Sequence, residues 1–537
     1  MRVTVVAASL AFILGLAAPA AHGQDSSLPD IGSSAGELLS PEEEVRYGAY
    51  MLYELRRAGY VLEDPLLDEW MQTMGHRLAA ASERPTQHFN FFLLRDRQIN
   101  AFATLGGYIG INAGTVLSAE SEDEVAGVVA HEVSHVTQRH VLRSVERAKK
   151  DQLPILLATL GVIIAAQGQE TNERTGRNAG SDAIQAAVIG GQALAAQRQI
   201  NYTRSGESEA DRIGIQTLHQ DGYSPEGMAD FFARMERLTR GNSGGYQTPA
   251  YLRTHPVNLT RISEARDRAQ RLEAAPKLAP APLRSFGNPL IPYSLTTGTG
   301  PAAAVVPGRM FPWARERLRV LSAKTPAEAL KETRLRMEQA GQAVDDPHRY
   351  ALALANLKAG YPAAAQDQLQ ALASRHPDNL WVGLALAESA YVARDGASAR
   401  KRYEALLARH PGDRAVSLSY AETLNALGGA DAGRRAQSVL RPLLAENAEN
   451  PLFQKTYARA AELAGDTARA GEAYAEAAYL SGRAEDALNQ LDAMLKKGDL
   501  DYVQRARIEA RIAAITPEVL ELRRRNIRPQ DIPSDGA

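Results

Sequence analysis

The 537-residue chain contains no cysteine. Disulfide staples and lipid attachment at a cysteine are therefore excluded, and a chain of this length can bury a sufficient core without staples. An excess of charge of one sign is also lacking, since 61 basic and 63 acidic residues leave a formal net charge of −2. Acids and bases are interspersed with no basic stripe, so no nucleic-acid partner is expected. Aromatic residues make up only 6%. With alanine abundant, that balance predicts a mainly α-helical protein. Long apolar runs are scarce after the N-terminus. The stretches Leu153 to Ala166 and Ala183 to Ala196 are too short to span a bilayer as helices.

The chain opens with Met1-Arg2, an apolar stretch from Val3 to Ala20, and small residues at Ala18-Pro19-Ala20 and Ala21-His22-Gly23. This pattern predicts a secretory signal peptide over 1–23, cleaved near Ala20 or Gly23. The alternative is an N-terminal membrane anchor, against which stand the short apolar region and the lack of a positive cluster after it. Residues 24–39 read as irregular.

The most informative segment is His131-Glu132-Val133-Ser134-His135. Residues four apart share a helical face, so His131 and His135 can aim imidazole nitrogens at one ion, with Glu132 beside them as a base. Acids at Glu122, Asp123 and Glu124 followed by apolar residues through Ala130 describe a helix entering a core. Ser121 is its expected N-cap, with Glu124 completing a capping box.

Catalytic zinc usually has three protein ligands and one open position. A third histidine in the pattern HExxHxxGxxH is ruled out, because Gln138 and Val141 occupy the required glycine and histidine positions. His140 is one residue out of register and reads as a surface histidine. The alternative is a downstream acid, supplied by Glu207-Ser208-Glu209-Ala210-Asp211. Glu207 and Asp211 share a helical face, whereas Glu209 points roughly 200° away at about 100° per residue. Glu207 is thus assigned to a single Zn2+ with His131 and His135, and Asp211 to a ligand histidine whose tautomer it would fix.

These residues resemble the gluzincin peptidases of the HtpX and CAAX prenyl protease family. Asn100-Ala101-Phe102-Ala103 and Gly106-Gly107-Tyr108-Ile109 resemble that family's strand segment before the zinc helix. Leu252-Arg253-Thr254-His255-Pro256, then Arg261-Ile262, resembles its downstream His-Pro element. The resemblance covers about residues 40 to 270 and implies a zincin-like α+β domain with a small sheet, acting as a zinc endopeptidase. Glu132 would take a proton from water and deliver it to the leaving amine. His255 is the candidate oxyanion donor. Its alternatives are to occupy the open zinc position and hold the enzyme latent, or merely to cap or hydrogen-bond.

Helices are expected from Ser40-Pro41 onward and over 65–82, and strands over 88–94 and 108–112. The second strand reads either as an edge that would pair with an extended substrate, as the resemblance implies, or as an interior strand. The apolar runs within 153–196 read as a buried hairpin over the site or as a surface touching a membrane or membrane-protein partner. Pro276, Pro280, Pro282 and Pro289 mark a linker over 275–310. The peptidase domain is therefore set at 40–274 and a second domain at 311–520.

The second domain repeats. His376-Pro377-Asp378-Asn379 recurs 34 residues later as His410-Pro411-Gly412-Asp413, each after an Ala- and Leu-rich helix. This spacing matches tetratricopeptide repeats, with about four or five units between 345 and 515 stacking into an α-solenoid. His376 and His410 fall in turns and read as structural.

A secreted gluzincin joined to such repeats resembles periplasmic proteases of outer-membrane assembly. That implies partners among unfolded or stalled outer-membrane proteins and the outer-membrane assembly machinery. Two other functions stay open: a chaperone or scaffold with a vestigial zinc site, and a zinc hydrolase of cell-wall peptides.

Overall fold

The computed structural model describes residues 39–147, 204–240, 250–274, 310–497 and 500–524. The expected signal peptide, the apolar runs of 153–196 and nearly all of the 275–310 linker lie outside the described residues.

Helix α1 (Pro41–Arg57) starts at a full capping box, in which Ser40 Oγ accepts from Glu43 N and Glu43 Oε2 accepts from Ser40 N. Helix α2 (Pro65–Ala80) is capped by Asp64, whose carboxylate accepts from Leu67 N at 3.1 Å. Three short strands follow: β1 (Asn90–Leu94), β2 (Ala101–Ala103) and β3 (Tyr108–Asn112). The sheet order is β1, β3, β2, with β3 parallel to β1 and antiparallel to β2.

The edge reading of 108–112 is corrected here: β3 is the central strand, and β2 is the outer strand that packs beside the His131 helix. Strand order is a tertiary property that a run of alternating residues does not encode. The first strand also begins later than expected. His88 bonds the Gly106 carbonyl through Nδ1 at 2.7 Å, and its own carbonyl lies 1.8 Å from where a Cβ on Gly107 would stand. Gly107 has φ +77, so only glycine suits this turn.

Helices α3 (Ala113–Ser118), α4 (Glu122–Thr137) and α5 (His140–Arg147) continue the chain, followed by α6 (Arg204–Asp221), α7 (Glu226–Arg240), α8 (Ala250–Thr254) and α9 (Leu259–Ala274). Helix α4 is buried along nearly its whole length and packs against α2, α6, α7 and β2. Gly127 permits the close approach of α7, since a Cβ there would come within 2.7 Å of the Met228 backbone. Ser121 Oγ caps α4 by accepting from Glu124 N. The expected reciprocal arm differs: Glu124 gives its carboxylate to Glu120 N and to Arg234.

The second half consists of paired helices. A first pair, α10 (Phe311–Leu321) and α11 (Pro326–Ala340), precedes five more. These are α12 (Asp346–Lys358) with α13 (Pro362–Arg375), α14 (Leu380–Val392) with α15 (Gly396–Arg409), α16 (Arg414–Leu427) with α17 (Ala430–Leu440), α18 (Pro451–Ala464) with α19 (Thr467–Leu480), and α20 (Ala484–Lys496) with α21 (Tyr502–Arg524). Helices α14 and α16 start 34 residues apart, as do α13 and α15. Asn379 and Asp413 hold equivalent N-caps. His376 bonds Asp346 at 2.6 Å and packs on Trp313, a structural role as expected.

The helical half is docked on the first. Helix α10 packs on α2 and α3, and α16 packs on α2. Farther along, Arg46 pairs with Glu518 at 3.1 Å, and the Arg483 guanidinium lies 4.3 Å over the Tyr53 ring. A cleft of about 750 Å³ opens between the halves, lined by Asp68 and His76 on one side and Arg414 and Glu422 on the other. One apolar core nonetheless runs through both, from Leu62, Val129 and Phe232 to Trp313, Leu424 and Phe453. Among the described residues no helix is long and apolar enough to cross a membrane.

Candidate metal centre

One turn of α4 brings His131 and His135 to the same face, with their Nε2 atoms 2.9 Å apart. The first turn of α6 supplies Glu207, whose Oε2 is 3.5 Å from His131 Nε2 and whose Oε1 is 3.5 Å from His135 Nε2. The sequence separates these elements by about seventy residues; the packing of α4 against α6 joins them. His255, just after α8, adds a fourth group, with Nδ1 3.1 Å from Glu207 Oε1 and 3.3 Å from His131 Nε2. The donor atoms of His131, His135, Glu207 and His255 all lie within 4.8 Å of one another, and all four residues are buried.

Glu132 is fully buried on the same turn, and its Oε1 lies 3.6 Å from His255 Nε2. Burial pushes the Glu132 carboxyl above its ordinary value, against the lowering pull of His255 and His131. A carboxyl raised in this way holds a proton more readily than an exposed one.

Asp211, one helical turn after Glu207, meets His131 Nδ1 at 3.0 Å. Arg261 on α9 grips both oxygens of Asp211, at 2.8 and 2.7 Å, and reaches Glu207 Oε2 at 3.0 Å. Burial works against ionised Glu207, yet His255 and the hydrogen bonds of His131 and His255 hold its carboxyl well below the usual range. His135 is driven well below its ordinary value by burial and by the neighbouring His131. The site therefore presents an anionic oxygen among three imidazole nitrogens.

That donor set fits a zinc ion. Buried nitrogen lone pairs facing one another at these distances need a shared proton or a cation, and imidazole with carboxylate is a ligand set zinc accepts. A carboxylate behind a ligand histidine is the usual support of such a centre.

All six residues singled out from the sequence lie in this one buried cluster: His131, His135 and Glu207 as ligand candidates, Glu132, Asp211 and His255 around them. His140 is a correction. It is 6% exposed rather than on the surface, and its Nδ1 lies 2.7 Å from His135 Nδ1. The cause is a break after α4, where Arg139 takes φ 52 and turns the chain back toward the site. Glu209, read as facing away, meets His140 Nε2 at 3.2 Å. The part played by Arg261 was likewise not legible beyond its place in a flanking motif.

The model of peptidase family M48 matches residues 65–269. Residues 65–269 are thus similar to the M48 peptidases. A relative from Vibrio cholerae is 40% identical over 260 residues, covering 48% of this chain and 51% of its own. The beta-barrel assembly-enhancing protease of Escherichia coli K12 is 35% identical over 262 residues, 49% of this chain and 51% of the relative. Metalloprotease LoiP of the same organism is 25% identical over 183 residues, 34% of this chain and 63% of LoiP. The chain thus matches about half the length of its first relatives. The architecture is a zincin-like α+β domain with a three-stranded sheet, similar to family M48, followed by a helical region.

Proposed function

We propose that this protein is a zinc-dependent endopeptidase of the periplasm that acts in outer-membrane protein assembly and quality control. The observation that carries the proposal is the convergence of His131, His135 and Glu207 with Glu132 on the same helical turn. Zinc would be held by those three ligands, and when bound it supplies Lewis-acid polarisation of the scissile carbonyl and makes water more acidic. Glu132 takes the proton of the attacking water and passes it to the leaving amine. Asp211, steadied by Arg261, keeps His131 in the tautomer that presents Nε2. The outer strand β2, beside Glu132, is the edge along which an extended substrate would be paired.

The substrates would be unfolded or stalled outer-membrane proteins, degraded when misfolded. The names of relatives similar over the M48 half support this class. The paired helices, with their 34-residue spacing, would form a tetratricopeptide arm that docks the outer-membrane assembly machinery. The apolar stretches within 153–196 are a candidate contact with a membrane surface or membrane-protein partner.

A Glu132→Gln variant tests the reading. It should keep one zinc per chain and lose roughly 10²–10⁴-fold in cleavage of unfolded outer-membrane proteins. Full retention of activity would favour the scaffold reading, and cleavage of peptidoglycan fragments instead would favour a cell-wall hydrolase.

A further inference from the structure

We propose that His140, with Glu209 behind it, fixes the tautomer of His135 and so is a positioning residue of the metal centre. The inference rests on the metal reading above and deepens it. His140 opens α5, outside the pentapeptide, yet it is buried against the site with its ring 4.8 Å from that of His135.

A ligand histidine must offer a bare nitrogen to the metal. His135 directs Nε2 toward His131 and Glu207, at 2.9 and 3.5 Å. Its proton must then sit on Nδ1, which faces His140 Nδ1 at 2.7 Å. Two ring nitrogens at that distance share one proton, so His140 Nδ1 has to accept. A neutral His140 then carries its own proton on Nε2 and donates it to Glu209 Oε2, 3.2 Å away. The protons line up in one direction, from His135 through His140 to Glu209.

The two ligand histidines are thus oriented by different devices. His131 has a carboxylate directly behind it, with Asp211 Oδ1 3.0 Å from Nδ1 and held in place by Arg261. His135 reaches its carboxylate through a second imidazole. Supports of this kind change metal affinity by about 10- to 100-fold when removed.

The test is zinc affinity of the full chain, measured by competition with a chelator, for the unaltered protein and for His140→Asn, His140→Phe and Glu209→Ala. Asparagine places a carboxamide oxygen where Nδ1 stood and can accept from His135. Phenylalanine fills the space and accepts nothing. His140→Asn should bind zinc within a few-fold of the unaltered chain, and His140→Phe should lose about 10- to 100-fold. Glu209→Ala sits at the partly exposed end of the relay and leaves the core intact, so it should fold and show a smaller loss in the same direction. Nitrogen chemical shifts of the His135 ring should report a proton on Nδ1 in the unaltered zinc-bound protein.

Equal losses in the asparagine and phenylalanine variants would overturn the proposal, because a packing role alone predicts them. So would unchanged affinity in the phenylalanine and Glu209→Ala variants. If the unaltered protein binds no zinc, the metal reading itself falls and takes this one with it.

Discussion

Arg317 of the helical half holds Asp64 of the sheet-bearing half through two parallel hydrogen bonds, Nε to Oδ1 at 2.7 Å and an Nη to Oδ2 at 2.6 Å. Both side chains are buried, and a third Arg317 bond reaches the Tyr350 hydroxyl at 2.8 Å. Asp64 simultaneously caps α2. Burial opposes its charge, and Arg317 overcomes that opposition and lowers its pKa.

Removing Arg317 alone strands a buried carboxylate. Arg317→Ala should therefore cost about 3–5 kcal/mol of stability, read as a lower urea midpoint. Replacing both partners with apolar residues of similar size should cost far less. Equal losses in the single and double variants would show that packing, not charge, holds the joint.

His255 lies within the donor set rather than beyond it. If it occupies the position a substrate must take, His255→Ala should raise basal proteolysis, by about tenfold for each 1.4 kcal/mol of lost closure. A fall in turnover would assign it to oxyanion stabilisation instead. Unchanged turnover would leave it a hydrogen-bonding residue.

In the cleft between the halves, burial and the nearby Asp64 charge push Asp68 up to about 8, and Glu422 is pushed up to about 7 for the same two reasons. A folded acid with a raised pKa keeps its proton while the unfolded chain has already released it. Stability therefore falls as pH rises from about 4 toward 8 and levels off above that. Asp68→Asn should leave the melting temperature unchanged near pH 4 and raise it at pH 8. Asp68 is only partly buried, so the gain is on the order of 1 kcal/mol. Parallel melting curves for both proteins across that range would count against it.

Burial disfavours a charged His131, but its hydrogen bonds to Asp211 and Glu207 prevail and hold its pKa up to about 9. A ligand histidine must be neutral, so zinc uptake at pH 7 should expel this proton. The apparent affinity should then rise about tenfold per pH unit until roughly pH 9. Calorimetry in buffers of different ionisation enthalpy counts the protons released; none at pH 7 would contradict the assignment. In the zinc-free protein the same residue stabilises the fold fully below about pH 6.5, and that contribution is lost as pH climbs through 9.

What was legible in the sequence is what local spacing encodes. The four-residue steps from His131 to His135 and from Glu207 to Asp211 fix common helical faces, and Ser40 announces a helix start through its own side chain. The 34-residue recurrence of Asn379 and Asp413 marks repeating caps. What was not legible depends on where the chain goes after a break or across the fold. The positive φ at Arg139 folds His140 inward, and no periodicity foretells that. The central place of β3 is decided by its two neighbours, and the grip of Arg261 on Asp211 spans fifty residues.

The apolar interior shared by Leu62, Phe232, Trp313 and Phe453 has a consequence for how the molecule fails. Because those residues pack as one cluster, loosening its helical side should weaken the side that carries the sheet as well. A change at Trp313 would then reach the candidate metal centre from a distance, whereas the last hairpin packs in a cluster of its own.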